Sequence, residues 1–227
     1  DITKAPSLGI TTSRENVGEV ENRGFEFQTR VIPIKNKDWE WSLSLNYAYN
    51  KNKIKKISNA LREQNEKNQA KGGVTPLPIY EEGQSLTALK VVSSAGIDPI
   101  TGNEVFIKRD GSLTFVYDPN DKVVYGDTTP FGMGSIGSYL TYKQFSMGMS
   151  MRYSFGGAVY NQTLASKVEG ADPRYNADER VFSSRWKEVG QQAKYKRISD
   201  SSVPMQTSRF VETNNYITLS SLSLAYE

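Results

Sequence analysis

The sequence predicts an all-β chain that forms a segment of a transmembrane antiparallel β-barrel. Three observations predict this class. Several segments alternate apolar and polar residues, aromatic residues mark both ends of these segments, and short turns on one side contrast with long polar connections on the other. Strands of this kind present one face to lipid and the other to a polar lumen. We therefore expect short periplasmic turns and long extracellular loops.

The first predicted hairpin joins residues 24–34 to residues 39–50 through a turn at 35–38, whose sequence is Lys-Asn-Lys-Asp. Asn and Asp are typical of turns. Successive side chains of a strand point to opposite faces. In the second arm one face carries Trp39, Trp41, Leu43, Leu45, Tyr47 and Tyr49, and the other carries Glu40, Ser42, Ser44, Asn46, Ala48 and Asn50. Twelve residues tilted by about 45° rise roughly 28 Å, which matches the apolar thickness of a bilayer.

The second predicted hairpin joins residues 134–142 to residues 145–155 through Lys143 and Gln144. Its return arm places Phe145, Met147, Met149, Met151, Tyr153 and Phe155 on one face and Ser146, Gly148, Ser150, Arg152 and Ser154 on the other. A further strand is predicted at 216–226. A bulge near Ser220 and Ser221 would bring the apolar residues of that strand into phase.

Two long segments, residues 51–133 and 156–215, connect these strands and contain frequent Gly, Pro and Asp, for example at Asp172-Pro173. Short strands are predicted at 104–108 and 113–117, and a solvated helix or turn at 60–70. Loops of this length are uncommon in compact soluble domains. We therefore predict that both segments are extracellular loops, and that residues 1–227 are part of one β-barrel domain.

Composition excludes several kinds of chemistry. The 227 residues contain no Cys and no His, so thiol nucleophiles, imidazole bases and the commonest zinc ligands are absent. A formal net charge of +3 is small and disfavours nucleic-acid binding. Carboxylates such as Asp98, Asp110 and Asp118 lie beside Gly or Pro, where Asp serves turns. No catalytic residue, metal site or cofactor is predicted.

Candidate ligand-binding residues form two groups. Loop aromatics would stack on a sugar ring or, alternatively, pack the loops: Tyr160, Tyr175, Trp186 and Tyr195. Polar strand residues would line the lumen: Glu26, Gln28, Arg30, Glu40, Asn46, Asn50 and Arg152. In addition, the basic run 50–56 would contact lipopolysaccharide phosphates or simply mark where the strand leaves the membrane.

An ordered set of short motifs resembles the SusC/RagA-type TonB-dependent outer-membrane transporters. The motifs are Asn16-Val17-Gly18-Glu19 before Asn22-Arg23-Gly24-Phe25-Glu26, Trp39 with Asn46 and Asn50-Lys51-Asn52-Lys53-Ile54, Gly96-Ile97-Asp98-Pro99 with Thr101-Gly102, Pro130 with Gly134, Tyr142 with Phe145, Gly156-Gly157, Arg185-Trp186, and Ser208-Arg209-Phe210 with Tyr216-Ile217 and Leu222-Ser223-Leu224-Ala225-Tyr226. They cover nearly all of the chain in order. No single motif is specific, but the ordered set is.

The resemblance implies a 22-stranded barrel with an internal plug, of which this chain is a C-terminal-side fragment without the plug and the final strands. It also implies a location in the outer membrane of a Gram-negative bacterium, a SusD-like surface lipoprotein partner and energy from the TonB complex. The expected function is nutrient import, foremost of oligosaccharides and less often of peptides, without catalysis. The alternatives are a secreted soluble β-sandwich that binds glycans and, less favoured, a β-rich glycoside hydrolase.

Overall fold

A computed structural model of the chain describes residues 2–3, 12–13, 18–172 and 174–227. Asn16 and Val17 of the motif set and Pro173 of the predicted loop turn lie outside the described residues. The chain divides into two compact units. The sheet unit comprises residues 21–53, 128–158 and 213–227, and the loop unit comprises residues 1–20, 54–127 and 159–212.

Strands dominate the described residues. In chain order they are β1 (Ile2–Thr3), β2 (Thr12–Ser13), β3 (Gly18–Lys35), β4 (Trp39–Ile57), β5 (Ala88–Ile97), β6 (Glu104–Ile107), β7 (Leu113–Thr114), β8 (Lys122–Asp127), β9 (Gly132–Tyr142), β10 (Phe145–Tyr160) and β11 (Val211–Tyr226). The helices are α1 (Asn59–Ala70) and α2 (Arg180–Ser183), with 3₁₀ turns at Pro119–Asp121 and Ser208–Phe210 and a π-helix at Leu164–Glu169. No helix among the described residues is long and apolar enough to cross a membrane. The all-β prediction is confirmed.

The sheet unit contains both predicted hairpins in one five-stranded sheet with the order β11-β10-β9-β4-β3. The inner strands pair antiparallel, with Asn46 opposite Ser135 and Ser135 opposite Arg152. The predicted turns are found where expected, because β3 ends at Lys35 and β9 ends at Tyr142. In this sheet strands β4 and β9 are neighbours, although about 75 residues separate them in the chain.

Register keeps the two predicted faces separate across β4, β9 and β10. Leu45, Ile136 and Met151 are aligned on the apolar face, and on the same face the indole nitrogen of Trp41 donates to Ser138 Oγ at 3.0 Å. The polar face of β9 also carries Tyr139, opposite Ser42. Aromatic rings meet at the tight-turn end, where Trp39 stacks on Tyr142 and Phe145 lies 4.8 Å from Tyr226 between ring centroids. Phe25, Tyr47 and Tyr49 cluster toward the other end.

The strands are longer than the sequence predicts. β4 continues to Ile57 rather than residue 50, β10 to Tyr160 rather than 155, and β11 begins at Val211 rather than 216. The predicted boundaries were placed where apolar alternation stops. Backbone pairing does not stop there, because a strand needs only partners for its N–H and C=O groups and tolerates Lys and Asn side chains outside a membrane.

The loop unit contains a small antiparallel sheet with the order β7-β6-β5-β8. Val91 and Val92 of β5 are fully buried. A second apolar cluster packs around Phe210 and contains Ala165, Val168, Val181 and Tyr195. The predicted strand at 104–108 is present as β6 and the helix at 60–70 as α1, whereas of the predicted strand at 113–117 only Leu113–Thr114 is strand, as β7. Strands β5 and β8 were not predicted.

Candidate functional site

The principal candidate site lies in the sheet unit, where polar wall residues meet Phe27, Tyr47 and Tyr153 of the apolar face. A shallow cleft of about 750 Å³ is lined by Glu26, Phe27, Gln28, Asn46, Tyr47, Ala48, Met133, Gly134, Ser135, Arg152, Tyr153 and Tyr216. Four of the predicted lumen residues, Glu26, Gln28, Asn46 and Arg152, are therefore brought together. Strand β9 can lie close to β4 here because residue 134 is glycine, since a Cβ at this position would be 1.9 Å from the carbonyl oxygen of Asn46.

Asn46 is one of the residues that line this cleft. Its side-chain nitrogen donates to Ser135 Oγ at 2.9 Å, and the hydroxyl of Tyr153 donates to its main-chain carbonyl at 2.8 Å. Among the described residues its side-chain oxygen has no hydrogen-bond partner, although it is buried. A buried amide oxygen without a donor is uncommon and favours a ligand or water as the missing donor.

The remaining predicted wall residues lie elsewhere on β3 and β4. Arg30 donates to Ser42 Oγ at 3.4 Å, and Glu40 lies 3.6 Å from the ammonium group of Lys35. Asn50 is exposed. The wall thus offers amide, hydroxyl, carboxylate and guanidinium groups, which suit hydrogen bonding to a polar ligand.

The loop aromatics do not form a common surface. Tyr195 is only 7% exposed within the apolar cluster, and Tyr160 packs edge-on against Phe210. Trp186 donates from its indole nitrogen to the carbonyl of Pro99 at 2.9 Å. Packing accounts for these three positions. Tyr175 is 74% exposed and remains available to a ligand.

Two adjoining cavities of about 580 and 400 Å³ lie beside the π-helix of the loop unit. They share Ser166, Gly170, Ala171 and Asp172, and Tyr175 lines the smaller one. Arg174 holds Asp172 in a two-point ion pair, with a shortest contact of 2.6 Å. Side-chain and backbone hydrogen bonds from Arg174 lower the pKa of Asp172 to about 2, so this carboxylate is charged at neutral pH.

The interior of the loop unit contains an ion cluster that sequence reasoning missed. The Arg209 guanidinium donates to both oxygens of Glu104 at 2.7 and 2.8 Å and to both oxygens of Glu169 at 2.6 and 2.8 Å. All three side chains are at most 10% exposed. Burial alone would lower the pKa of Arg209, but the hydrogen bonds and charges of the two carboxylates outweigh it and raise the pKa.

Two further buried cations bind backbone carbonyls. Arg185 donates to the carbonyls of Val181, Val168, Glu169 and Lys196 at 2.7 to 3.1 Å. Lys122 donates to the carbonyls of Asn68, Gln69 and Lys71, which end helix α1. These carbonyls have no partner within a helix, so the ammonium group satisfies them and complements the negative end of the helix dipole. Desolvation by burial lowers the pKa of Lys122.

The exposed carboxylates serve turns, as their neighbours predicted. Asp98 accepts from the Thr101 hydroxyl at 2.6 Å, Asp110 accepts from the Ser112 hydroxyl at 2.6 Å, and Asp118 accepts from the Asn120 amide at 2.8 Å. These hydrogen bonds lower the pKa of Asp98 and of Asp110, whereas a general acid requires a raised pKa. In the part of the chain that the structure describes, no group of three or more acidic side chains is arranged to hold a metal ion.

Comparisons with known proteins agree with this architecture. The chain is 29% identical over 237 residues to the TonB-dependent receptor P3 of Formosa agariphila, which covers 96% of the chain and 23% of the relative. It is 30% identical over 162 residues to the TonB-dependent receptor SusC of Bacteroides thetaiotaomicron, which covers 68% of the chain and 16% of the relative. No family model matches the chain.

Solved structures show the same fold over the whole chain. The RagAB peptide transporter superposes with a TM-score of 0.80 at 21% identity, covering 100% of this chain and 25% of that one. The RagAB peptide importer in its closed-closed state gives a TM-score of 0.73 at 22% identity. The chain therefore spans about a quarter of the length of these proteins. The sequence relatives and the shared fold confirm the resemblance: the chain is a homologue of the SusC/RagA-type TonB-dependent transporters and corresponds to a segment of their transmembrane antiparallel β-barrel.

Proposed function

We propose that the chain forms part of the wall and outer loops of an outer-membrane transporter that imports oligosaccharides. The cleft around Asn46 carries this proposal, because it gathers polar side chains from four strands of an amphipathic sheet whose sequence relatives are TonB-dependent receptors. Residues 1–227 belong to one barrel domain, and residues 51–133 and 156–215 form its extracellular loops. The transporter has no catalytic activity of its own.

The chemistry of the cleft suits a saccharide. Its polar lining contains a carboxylate, a guanidinium, two amides and a serine hydroxyl, contributed by Glu26, Arg152, Gln28, Asn46 and Ser135. Three tyrosines, Tyr47, Tyr153 and Tyr216, complete it. A sugar presents many hydroxyl groups, each of which both donates and accepts, so a mixed lining of this kind satisfies it without requiring net charge. Tyr175, exposed at the rim of a loop cavity, adds an aromatic face. Arg30 and Glu40 extend the polar wall.

The resemblance supplies the partners and the energy source. A SusD-like surface lipoprotein would cover the outer loops, and the TonB complex would drive import through a part of the transporter outside this chain. Protonophore treatment of intact cells should therefore abolish uptake. The lipoprotein should copurify with the full-length receptor from outer membranes, and the receptor should be absent from the soluble fraction.

Peptide import is the second candidate. It is favoured by the structural likeness to the RagAB peptide transporter, which extends over the whole chain. The same cleft would then bind main-chain amides and carbonyls, which also need paired donors and acceptors.

Growth of a receptor-deletion strain separates the two candidates. Purified oligosaccharides, their constituent monosaccharides and a defined peptide mixture would each be supplied as the sole carbon source. The proposal expects loss of growth on at least one oligosaccharide, with normal growth on its monosaccharides and on peptides. A defect confined to peptides would support the second candidate, and normal growth on every source would refute both.

A matched pair of wall variants tests the cleft itself. Asn46→Ala removes both the amide nitrogen that donates to Ser135 Oγ and the amide oxygen that has no partner among the described residues. Ser44→Ala is the control and changes the neighbouring residue on the same face of β4. We expect at least a tenfold fall in uptake rate for Asn46→Ala at unchanged receptor abundance, and an uptake rate near that of the parent for Ser44→Ala. Equal rates in both variants would show that Asn46 does not contact substrate.

A further inference from the structure

Strand β4 carries a basic segment directly beyond the aromatic end of its apolar face. Because β4 runs without interruption from Trp39 to Ile57, the alternation that places Tyr47 and Tyr49 on this face continues to Lys51 and Lys53. Both lysines are exposed. The lysines therefore project on the same side as the aromatic rings.

The neighbouring strand adds a third cation. Gly24 of β3 approaches Asn50 so closely that an added Cβ would lie 3.1 Å from the Asn50 Cα, which places Arg23 beside Lys51 in this antiparallel pair. The Arg23 side chain is 83% exposed and contacts Glu21. We call Arg23, Lys51 and Lys53 the rim patch. With Glu21 included, it carries three positive charges and one negative charge.

The depth of the rim patch follows from strand geometry. Aromatic residues of a transmembrane barrel lie at the membrane interface, and Phe25, Tyr47 and Tyr49 form such a cluster. At about 3.3 Å per residue and a tilt near 45°, Lys51 and Lys53 lie roughly 5 and 9 Å further along the membrane normal. This is the depth of lipid headgroups rather than of acyl chains or bulk solvent.

We infer that the rim patch binds the phosphate groups of the lipid A portion of lipopolysaccharide. The inference rests on the outer-membrane location and loop orientation of the proposed function but not on the imported substrate. The rim patch lies at the strand ends that lead into the long loops, and these are the outer-leaflet ends. Ammonium and guanidinium groups form charge-assisted hydrogen bonds with phosphate oxygens, and Arg adds two-point contacts.

The basic residues at the tight-turn end of the sheet differ from those of the rim patch in their contacts. Lys35 is occupied by Glu40, and Lys143 lies 5.4 Å above the Tyr142 ring. Lys37 is an exposed turn residue with the same charge as Lys51 but at the opposite end of the strands. Lys37 is therefore a matched control, because its replacement removes the same charge from the end of the strands opposite the outer leaflet.

The test uses the full-length receptor in a neutral detergent and fluorescent rough lipopolysaccharide as the probe. Lys51→Gln with Lys53→Gln should weaken apparent binding about 25-fold, since each basic residue near an anionic membrane surface contributes about fivefold. Lys37→Gln should leave binding unchanged. The loss should shrink at high salt, because exposed charges are screened.

Three controls decide the identity of the ligand. Dephosphorylated lipopolysaccharide should bind the parent receptor as weakly as intact lipopolysaccharide binds the double variant. Phosphatidylglycerol micelles and inorganic phosphate should compete poorly. Equal binding of dephosphorylated lipopolysaccharide, equal competition by phosphatidylglycerol, or an equal loss in Lys37→Gln would each overturn the inference. Substrate uptake by the double variant should equal that of the parent. The binding measurement therefore tests this inference, and the uptake measurement separately tests the transport proposal.

Discussion

The two units of the chain differ in where their buried apolar side chains lie, since every buried apolar side chain among the described residues belongs to the loop unit. In the sheet unit each strand exposes large apolar residues, for example Leu224 at 76% and Phe145 at 59%. In the loop unit Val91, Val92 and Val168 are completely buried. Soluble proteins rarely expose contiguous apolar faces of this length. The difference agrees with a sheet unit that contacts lipid and a loop unit that has an apolar core of its own.

Charged groups show the same contrast. The polar face of the sheet unit leaves Glu26, Arg30 and Arg152 exposed, whereas the loop unit encloses Arg209 between Glu104 and Glu169. In a small unit with limited apolar burial, such a fully hydrogen-bonded cluster helps to fix a single packing arrangement, and breaking it is costly. The loop unit is therefore expected to be the more sensitive of the two to loss of a single charge.

Arg209→Met should produce the largest effect. It leaves Glu104 and Glu169 buried without their cation and should destabilise the loop unit by about 3–5 kcal/mol. Hydrogen exchange of the full-length receptor would detect this as faster exchange in β6 and the π-helix, with unchanged exchange in β9 and β10. Arg174→Met is the control, since its ion pair with Asp172 is solvent-exposed and its loss should change little. Equal effects of both variants would show that the cluster is not a stabilising centre.

Arginine substitution on the two faces of β10 tests the sheet unit. Met149 lies on the apolar face and Ser150 on the polar face, opposite Ser138 and Gly137 respectively. Arg at a lipid-facing midplane position costs about 2–4 kcal/mol, so Met149→Arg should reduce assembled receptor in the outer membrane far more than Ser150→Arg. Heat-modifiable mobility of the folded barrel measures assembly. Equal tolerance of both substitutions would contradict the assignment of the faces.

The contrast between the units also explains what the sequence could reveal. Trp39–Asn50 and Phe145–Phe155 were recognised because lipid on one side and a polar lumen on the other impose strict alternation. Strand β5 has no such alternation, and its Lys90 interrupts an apolar run. Lys90 is nevertheless buried, because its ammonium group pairs with Glu81 at 2.5 Å.

The candidate site divides in the same way. Glu26, Asn46 and Arg152 could be assigned to one wall from the alternation of side chains along each strand, and the structure groups them in one cleft. The partners of Arg209 lie 105 and 40 residues away in the chain, so no local pattern identifies them. Long-range ion pairs of this kind depend on tertiary packing, which the alternation of residues along a strand does not reveal.

The pH dependence of the loop unit sharpens the comparison further. Partial burial raises the pKa of Asp200, but hydrogen bonds from Lys196 and Ser202 outweigh it and lower the pKa to about 2. Because the folded pKa lies below the ordinary value of 3.8, this carboxylate stabilises the folded state above about pH 4, and the effect is lost as the pH falls through 2. Asp200→Asn should therefore cost about 2 kcal/mol at pH 7 and almost nothing at pH 2. Hydrogen exchange at both pH values measures the difference, and a cost that does not depend on pH would contradict the role of this charge.

The smallest of these effects should be the difference between Gly102→Ala and Gly111→Ala, which tests how Trp186 anchors the loop at Pro99. Gly102 has a φ of +69°, and an added Cβ would lie 2.5 Å from the indole ring. Gly111 has a similar φ of +85° but no atom within 4 Å of an added Cβ. Both alanine variants incur the cost of a left-handed backbone, about 1–2 kcal/mol, but only Gly102→Ala also displaces the ring. The difference between them in hydrogen exchange of residues 96–103 therefore isolates the Trp186 contact. Identical exchange in the two variants would show that backbone conformation alone, and not packing on Trp186, requires glycine at position 102.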